Sequence, residues 1–323
     1  MNIGLDVGYS ATKAISGNRR ITFPSVVGTP YKERFSINGT ADSIILTEPA
    51  HVLVGAGAVL QSRHLKRRED RGWTESDEWY QLVMAAWSEL TTASVDLVVV
   101  TGLPVAFYND KDKVRAALIG SHVAAREGRN RQTFNVTDVR VVPQPFGALL
   151  AAVLTSSGQI PPGHPLATGD VGVVDVGGKT TNLLSVDQLT EIGRQTSSVS
   201  VGAWDVARAV RAYLADTCPD LEVRDHQLMQ AIAAKRIKYF GEPVDLSDVV
   251  DAALEPMAEQ VIAEATQLWS GAAGLDAILV TGGGALLIGD RIKRHFQHAQ
   301  VVEQPVWANA IGFWRFAQRI SKE

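Results

Sequence analysis

One cysteine, Cys218, is all the thiol that the 323 residues carry, so no disulfide can close within the chain and no multi-thiolate metal site can form from it alone. A lone thiol without a partner motif reads as a small side chain rather than a nucleophile, and it suits a reducing cytoplasm. Charge of one sign is also scarce. The 31 Lys and Arg against 35 Asp and Glu give a formal net charge of -4, which exerts no global pull toward DNA or an anionic membrane. No direct nucleic-acid contact is expected, and any link to DNA would pass through another protein. Long apolar runs are missing too, so no membrane segment is expected. Met1 leads into Ile3-Gly4-Leu5-Asp6-Val7 without the basic and apolar regions of a signal peptide, and the expected location is the cytoplasm.

What the chain does have is 46% hydrophobic residues and 28 glycines against 13 prolines, the make-up of a globular protein with many tight turns. Its length exceeds what one core usually serves, which predicts two lobes of roughly 150 residues each. Alternating Ile3, Leu5 and Val7, the turn residues Gly8 and Ser10, and then Lys13-Ala14-Ile15 predict a hairpin at the start. Residues 30–80 are polar and irregular and suggest a small inserted subdomain. The charged run 63–71 within them includes Glu69 and Asp70 and reads as a solvated face. A helix is expected over 79–90 and a buried strand over 96–101, ended by Gly102 and Pro104. Another apolar run, 139–142, leads to Gln144 at a strand-to-helix corner, with Pro145 opening a helix over 146–154. The Gly, Ser and Pro content of 156–165 marks the lobe boundary.

Beyond that boundary the opening pattern recurs: an apolar strand over 171–176, Asp175, Gly177 and Gly178, then a returning strand over 182–186. Helices follow around 206–214 and 249–269, their apolar stripes being ordinary core faces. A strand over 276–281 runs through Gly282-Gly283-Gly284 into a further helix, and 308–319 predicts a closing helix with Ala310, Phe313 or Trp314, and Ala317 on one face. His295 and His298 fall three apart on an expected helix and read as surface histidines. Trp73, Trp79 and Trp87 read as core or lobe-interface residues rather than a stacking platform for bases.

A nucleoside triphosphate needs many N–H donors, a cation and a magnesium site, and glycine turns supply donors without side chains in the way. The two hairpins offer that set twice. Gly8, Tyr9, Ser10 and Ala11 can wrap phosphate while Lys13 returns a positive charge, and Gly177, Gly178, Lys179, Thr180 and Thr181 can do likewise. Asp6 and Asp175 end the preceding strands, and two carboxylates suit Mg²⁺, which also keeps waters and phosphate oxygens. Either Asp-x-Gly alone would read as a simple turn; the pair carries the information. The glycine turn 282–284 could lie against a base or ribose. Two other motifs fail on spacing. Gly178-Lys179-Thr180 mimics the end of a Walker A loop, yet the first glycine would fall on Val173 and the turn leads into a strand. Gly282-Gly283-Gly284-Ala285-Leu286-Leu287 lacks the third small residue of the dinucleotide fingerprint.

The two Asp-Gly hairpins, the corner between them and the late glycine turn resemble the phosphate 1, phosphate 2, connecting and adenosine motifs of the actin, sugar-kinase and heat-shock chaperone superfamily. Within it the chain is most similar to bacterial and archaeal actin-like proteins, especially the plasmid-segregating ParM/StbA group, through Thr101-Gly102-Leu103-Pro104-Val105-Ala106-Phe107-Tyr108 and Ala308-Asn309-Ala310-Ile311-Gly312-Phe313. The resemblance implies an α/β, two-lobed actin-like (ribonuclease H-like) fold with nucleotide in the interlobe cleft. It implies a first lobe of 1–162 plus 306–323, with a small subdomain over about 30–80, and a second of 163–305, with a small subdomain over about 205–265. It further implies ATP and Mg²⁺ as cofactors. Asp6 and Asp175 would hold the magnesium, Lys13 would contact phosphate, and Gln144 would orient the attacking water. Gly202 would approach the nucleoside, Gly282, Gly283 and Gly284 would form the adenosine turn, and Lys235 would flank the base. Glutamine rather than a carboxylate at 144 favours positioning water over deprotonating it, hence slow hydrolysis. Tyr9 departs from the family, standing where relatives often have a small residue.

The leading expectation is an ATP hydrolase that assembles head to tail into filaments, destabilises them on hydrolysis, and serves plasmid DNA segregation through a DNA-bound adaptor. A small-molecule, sugar-type kinase on the same fold is the alternative, but no clear catalytic Asp motif is present. A chaperone-like regulatory ATPase is a third, against which stands the lack of a substrate-binding domain after residue 323.

Overall fold

A computed structural model describes residues 1–31, 43–66, 68 and 70–322. The rest of the 30–80 region, with Arg67 and Glu69 of the charged run, lies outside the described residues. The chain divides into two compact units, Met1–His164 with Trp307–Glu323 and Pro165–Val306.

The first unit is built on a ten-stranded sheet among the described residues. Within it the strand Asn2–Val7 is paired antiparallel with Ala11–Ser16 and parallel with Val95–Leu103, which in turn lies parallel to Gln132–Pro143. Val95–Leu103 reads as a near-continuous apolar run because both faces are covered. On one face Ile3, Leu5 and Val99 join Leu82, Val83, Ala86 and Trp87 of the helix Asp77–Leu90 in the main core. That helix starts where Ser76 accepts from the amide of Trp79, with Asp77 and Glu78 complementing the first turn. On the other face runs the C-terminal helix Ala308–Ile320, burying Ala310, Phe313 and Ala317, while Trp314 is only part-buried. The approach is close: a Cβ on Gly4 would stand 2.3 Å from both the carbonyl oxygen of Ala310 and the amide nitrogen of Trp314. Within 43–80 the elements are short, with strands Ile44–Glu48, Val52–Val54 and Leu65–Lys66 and the helix Ala56–Gln61. They extend the sheet beyond Gly120–Arg126.

The second unit repeats the central pattern. Asp170–Val176 pairs antiparallel with Thr181–Asp187 and parallel with Ala277–Thr281, which lies parallel to Ala299–Val301. Its core gathers Val174, Leu183, Ile278 and Val280 with Val206, Val210 and Leu214 of the helix Ala203–Thr217 and Leu254, Met257 and Val261 of the helix Ser247–Leu268. A shorter helix, Asp225–Ala234, leads into a two-stranded hairpin, Arg236–Tyr239 and Glu242–Asp245. The helix that follows the late glycine turn, Ala285–His295, stops at His295. His298 lies in the turn beyond it, because the chain must reverse to lay Ala299–Val301 beside Ala277–Thr281. The expectation of both histidines on one helix is corrected accordingly.

Candidate functional site

Each unit carries the same local device. In the first, Asp6 and Lys13 are cross-strand partners of the opening hairpin, and its turn closes through Gly8 N–H donating to the carbonyl of Ala11 at 3.2 Å. In the second, the Gly177 N–H donates to the carbonyl of Thr180 at 2.9 Å, and Asp175 and Asn182 take the places of Asp6 and Lys13. The spacing of seven residues from aspartate to partner is thus common to both hairpins. It follows from a hairpin with the same four-residue turn, in which a fixed register sets one residue across from another.

Asp6 is 3% exposed, and each of its carboxylate oxygens accepts one hydrogen bond. Lys13 Nζ donates to Oδ2 at 3.1 Å, and Gln144 Nε2 donates to Oδ1 at 2.8 Å. A buried carboxylate demands a cation and hydrogen bonds, and here it has both. Gln144 reaches Asp6 from 138 residues away because the parallel strands Val95–Leu103 and Gln132–Pro143 end in register at Leu103 and Pro143. Its own amide donates to the carbonyl of Leu103 at 2.7 Å, and its carbonyl accepts from Gly147 at 3.0 Å, so the backbone at the corner is held on both sides.

The corner helix Phe146–Val153 that follows is seated directly on the C-terminal helix. A Cβ on Gly312 would lie 1.8 Å from the carbonyl oxygen of Gly147, and one on Gly102 would lie 2.9 Å from the Cα of Gln144. The Arg315 guanidinium donates to the carbonyls of Ala151 and Leu154 at the helix's end, where carbonyls lack helical partners. Sequence reading of the C-terminal helix identifies its apolar face; that Gly312 and Arg315 hold the Gln144 corner emerges only in the packing.

In the second unit three glycine segments converge on the end of Asp170–Val176. The first two amides of the helix Ala203–Thr217, those of Ala203 and Trp204, donate to the carbonyls of Gly177 and Gly178 at 3.1 and 2.8 Å. Gly202 lies against Gly178, whose carbonyl oxygen would be 2.4 Å from an added Cβ. Gly284 N–H donates to the carbonyl of Val176 at 2.9 Å. Gly282 has φ +85° and would place a Cβ 2.6 Å from Asp175 Oδ1, so both its conformation and its surroundings require glycine. Asp175 is 4% exposed, while Gly177, Gly178, Lys179 and Thr180 are part-exposed. Thr281 and Asn182, buried neighbours of Asp175 on either side in the sheet, are members of this cluster that sequence reading missed. Asn182 could have been found by the shared seven-residue spacing.

Lys235 ends the helix Asp225–Ala234 in a left-handed conformation, φ 50°, with its ammonium 2.5 Å from Asp251. That hydrogen bond holds the Asp251 carboxyl below its ordinary range. Asp251 also receives Arg291 from the helix after the glycine turn, at 3.4 Å. Tyr9 turns away from the role of a small loop residue: its ring packs on Trp73, with centroids 6.1 Å apart.

The family model for the N-terminal domain of actin like proteins matches residues 4–147, and that for the C-terminal domain of the archaeal actin homologue MreB-like matches residues 173–294. The chain belongs to the actin-like proteins. Among solved structures it is similar to Ta0583, an archaeal actin homologue, at 24% identity, covering 98% of this chain and 99% of that one with a TM-score of 0.83. The same homologue has been solved in complex with ADP, at a TM-score of 0.81, 24% identity and 99% of each chain. ParM from Clostridium botulinum, solved as a 15-stranded filament, is 21% identical over 98% of this chain and 99% of that one, with a TM-score of 0.82. At these identities the likeness is one of fold, and the fold is the actin-like α/β architecture. No curated protein sequence matches the chain significantly. No helix among the described residues is long and apolar enough to cross a membrane.

Proposed function

We propose that this chain is an actin-like ATPase that binds ATP with Mg²⁺, assembles head to tail into filaments, and hydrolyses the nucleotide slowly in the service of plasmid DNA segregation in the cytoplasm. The observation that carries the reading is Asp6, a buried carboxylate bonded at once by Lys13 and Gln144 at the end of a phosphate-type hairpin. Gly8, Tyr9 and Ser10 on one hairpin and Gly177, Gly178, Lys179 and Thr180 on the other supply backbone donors for phosphate. Gly202, Lys235 and Gly282 to Gly284 serve the nucleoside.

The donor set fits magnesium in its usual manner. No group of three or more His, Cys, Asp or Glu among the described residues could hold a metal by itself. The proposal gives the ion to Asp6 and Asp175, in keeping with a cation that takes one or two carboxylates and completes its shell with waters and phosphate oxygens. When bound, Mg²⁺ neutralises charge that develops on the phosphate oxygens. Gln144 is neutral at any working pH and can orient a water but not remove its proton, which sets a slow rate. Lys13 balances Asp6 and offers a cation to phosphate. The ADP complex of one relative and the filament of another support nucleotide binding and self-assembly here. A DNA-bound adaptor would supply the link to plasmid, since the net charge of -4 offers none.

Equilibrium titration with ATP, ADP and GTP, on wild type and Asp175→Ala, tests the binding. Phosphate release measured alongside, with and without a panel of sugars, tests the chemistry. The reading predicts Mg²⁺-dependent binding weakened by Asp175→Ala and free phosphate as the product. Phosphate appearing on a sugar would replace it with a kinase.

A further inference from the structure

The two phosphate-type turns close through the same hydrogen bond but are braced differently. The second is fastened from behind, where the Ala203 and Trp204 amides hold the carbonyls of Gly177 and Gly178. At its second position stands Gly178, against which Gly202 packs so closely that no side chain fits between. The first turn has Tyr9 at that position. The Tyr9 ring joins the main core of the first unit, tilted 35° on Trp73, and its hydroxyl reaches the carbonyl of Asp70 at 3.5 Å.

Trp73 belongs to the short 3-10 helix Arg71–Glu75, and that helix is itself anchored. Arg71 pairs with Asp110 at 3.0 Å and Lys113 with Glu75 at 2.9 Å. Asp70 accepts the Gly72 amide at its start, and Ser76 donates its hydroxyl to the carbonyl of Trp73 at its end. Trp73 is 4% exposed, yet its Nε1 has no hydrogen-bond partner among the described residues. Its polar edge is thus unused, and what it offers Tyr9 is the buried ring.

We propose that Tyr9 is a positioning residue. Its ring, seated on Trp73, holds the first phosphate turn in its binding shape, doing by a side chain what two helix amides do for the second turn. The inference rests on the nucleotide-binding reading above. The ring carries the effect, because a hydroxyl contact at 3.5 Å is at the limit of a hydrogen bond. An aromatic pair of this kind is worth about 0.5–1.5 kcal/mol beyond its buried area, which at its upper end corresponds to about a tenfold change in affinity if the turn must be reordered on binding.

The test is ATP titration of wild type, Tyr9→Phe, Tyr9→Ala and Trp73→Phe, followed by tryptophan emission, with thermal midpoints of the nucleotide-free proteins as the check on folding. Trp73→Phe removes an unpartnered donor and should fold; the difference between it and wild type isolates the Trp73 signal. The proposal expects Tyr9→Phe to bind within twofold of wild type, and Tyr9→Ala to bind about tenfold more weakly with little change in turnover at saturation. It also expects ATP to alter Trp73 emission in wild type and not in Tyr9→Ala. Wild-type affinity and a retained Trp73 response in Tyr9→Ala would overturn it, as would a tenfold loss in Tyr9→Phe. Failure of wild type itself to bind ATP would overturn the nucleotide reading and this inference with it.

Discussion

Gly312→Ala is the perturbation whose consequence is worked out most directly from the packing. The new methyl would stand 1.8 Å from the carbonyl oxygen of Gly147, 2.7 Å from its carbon and 2.8 Å from the amide nitrogen of Ala151. All three are backbone atoms, so no rotamer change relieves the clash. Restoring ordinary contact requires the C-terminal and corner helices to part by roughly 1.5 Å. Overpacking of this kind costs about 1–3 kcal/mol, which for a protein of this size lowers the melting temperature by about 2–4 °C per kcal/mol. Gln144 stands two residues before the corner helix Phe146–Val153 and its carbonyl is bonded to Gly147, so displacement of that helix carries its side chain off Asp6. A misplacement near 1 Å is worth on the order of 100-fold in rate. Gly312→Ala should therefore melt several degrees early, bind ATP with little change, and release phosphate far more slowly. Gly193→Ala, with nothing within 4 Å of the added methyl, is the control. Gly312→Ala that melts with wild type and turns over at its rate would refute this coupling of the two helices to Gln144.

Four further outcomes are expected. Gln144→Ala should lower turnover about 100-fold with nucleotide affinity retained, whereas Gln144→Glu brings a second carboxylate to Asp6 and should recover stability as the pH falls and the pair shares a proton, seen in melting curves from neutral to acid pH. Asp251 titrates below its ordinary value of 3.8 because Lys235 holds the charged form, so it contributes stability above that pH and loses it as the pH falls further. Both groups are partly exposed, which limits the contribution to under about 1 kcal/mol, and Asp251→Asn should flatten that acid limb of the urea midpoint against pH. Phe240 is 82% exposed with φ 49° at a hairpin tip, a conformation asparagine accepts more readily, so Phe240→Asn should raise the melting temperature slightly.

The elements that were legible in the sequence are those whose pattern is local. Ile3 and Leu5 alternate with Gly4 because their side chains face the helix Asp77–Leu90 while the C-terminal helix lies too close on the other face for a side chain at Gly4, and Val98, Val99 and Val100 run together because their strand is covered on both sides. The strand Gln132–Pro143 is longer than its apolar stretch 139–142 suggests, because residues 132–136 pair antiparallel with 120–124 and alternate buried with exposed. Strands as short as Val27–Gly28 and Leu65–Lys66 carry no period at all and exist only through their neighbours. At the site, Asp6 and Lys13 are readable as a hairpin pair. The hydrogen bond from Gln144 to Asp6 depends on strand register across 138 residues and was not legible; the resemblance to a family gave Gln144 only the role of orienting water. The bracing of the first turn by Trp73 was not legible, since residues 71–75 fold as an irregular 3-10 turn whose position is set by ion pairs to Asp110 and Lys113.

The central claim is ATP-dependent assembly, and sedimentation of the purified chain with Mg²⁺ and ATP, ADP or no nucleotide, across salt and protein concentration, tests it most directly. The account predicts that wild type pellets with ATP, returns to the supernatant as ADP accumulates, and that Asp175→Ala stays soluble throughout. Protein that remains in the supernatant with ATP under every condition, or pellets equally without nucleotide, would contradict it.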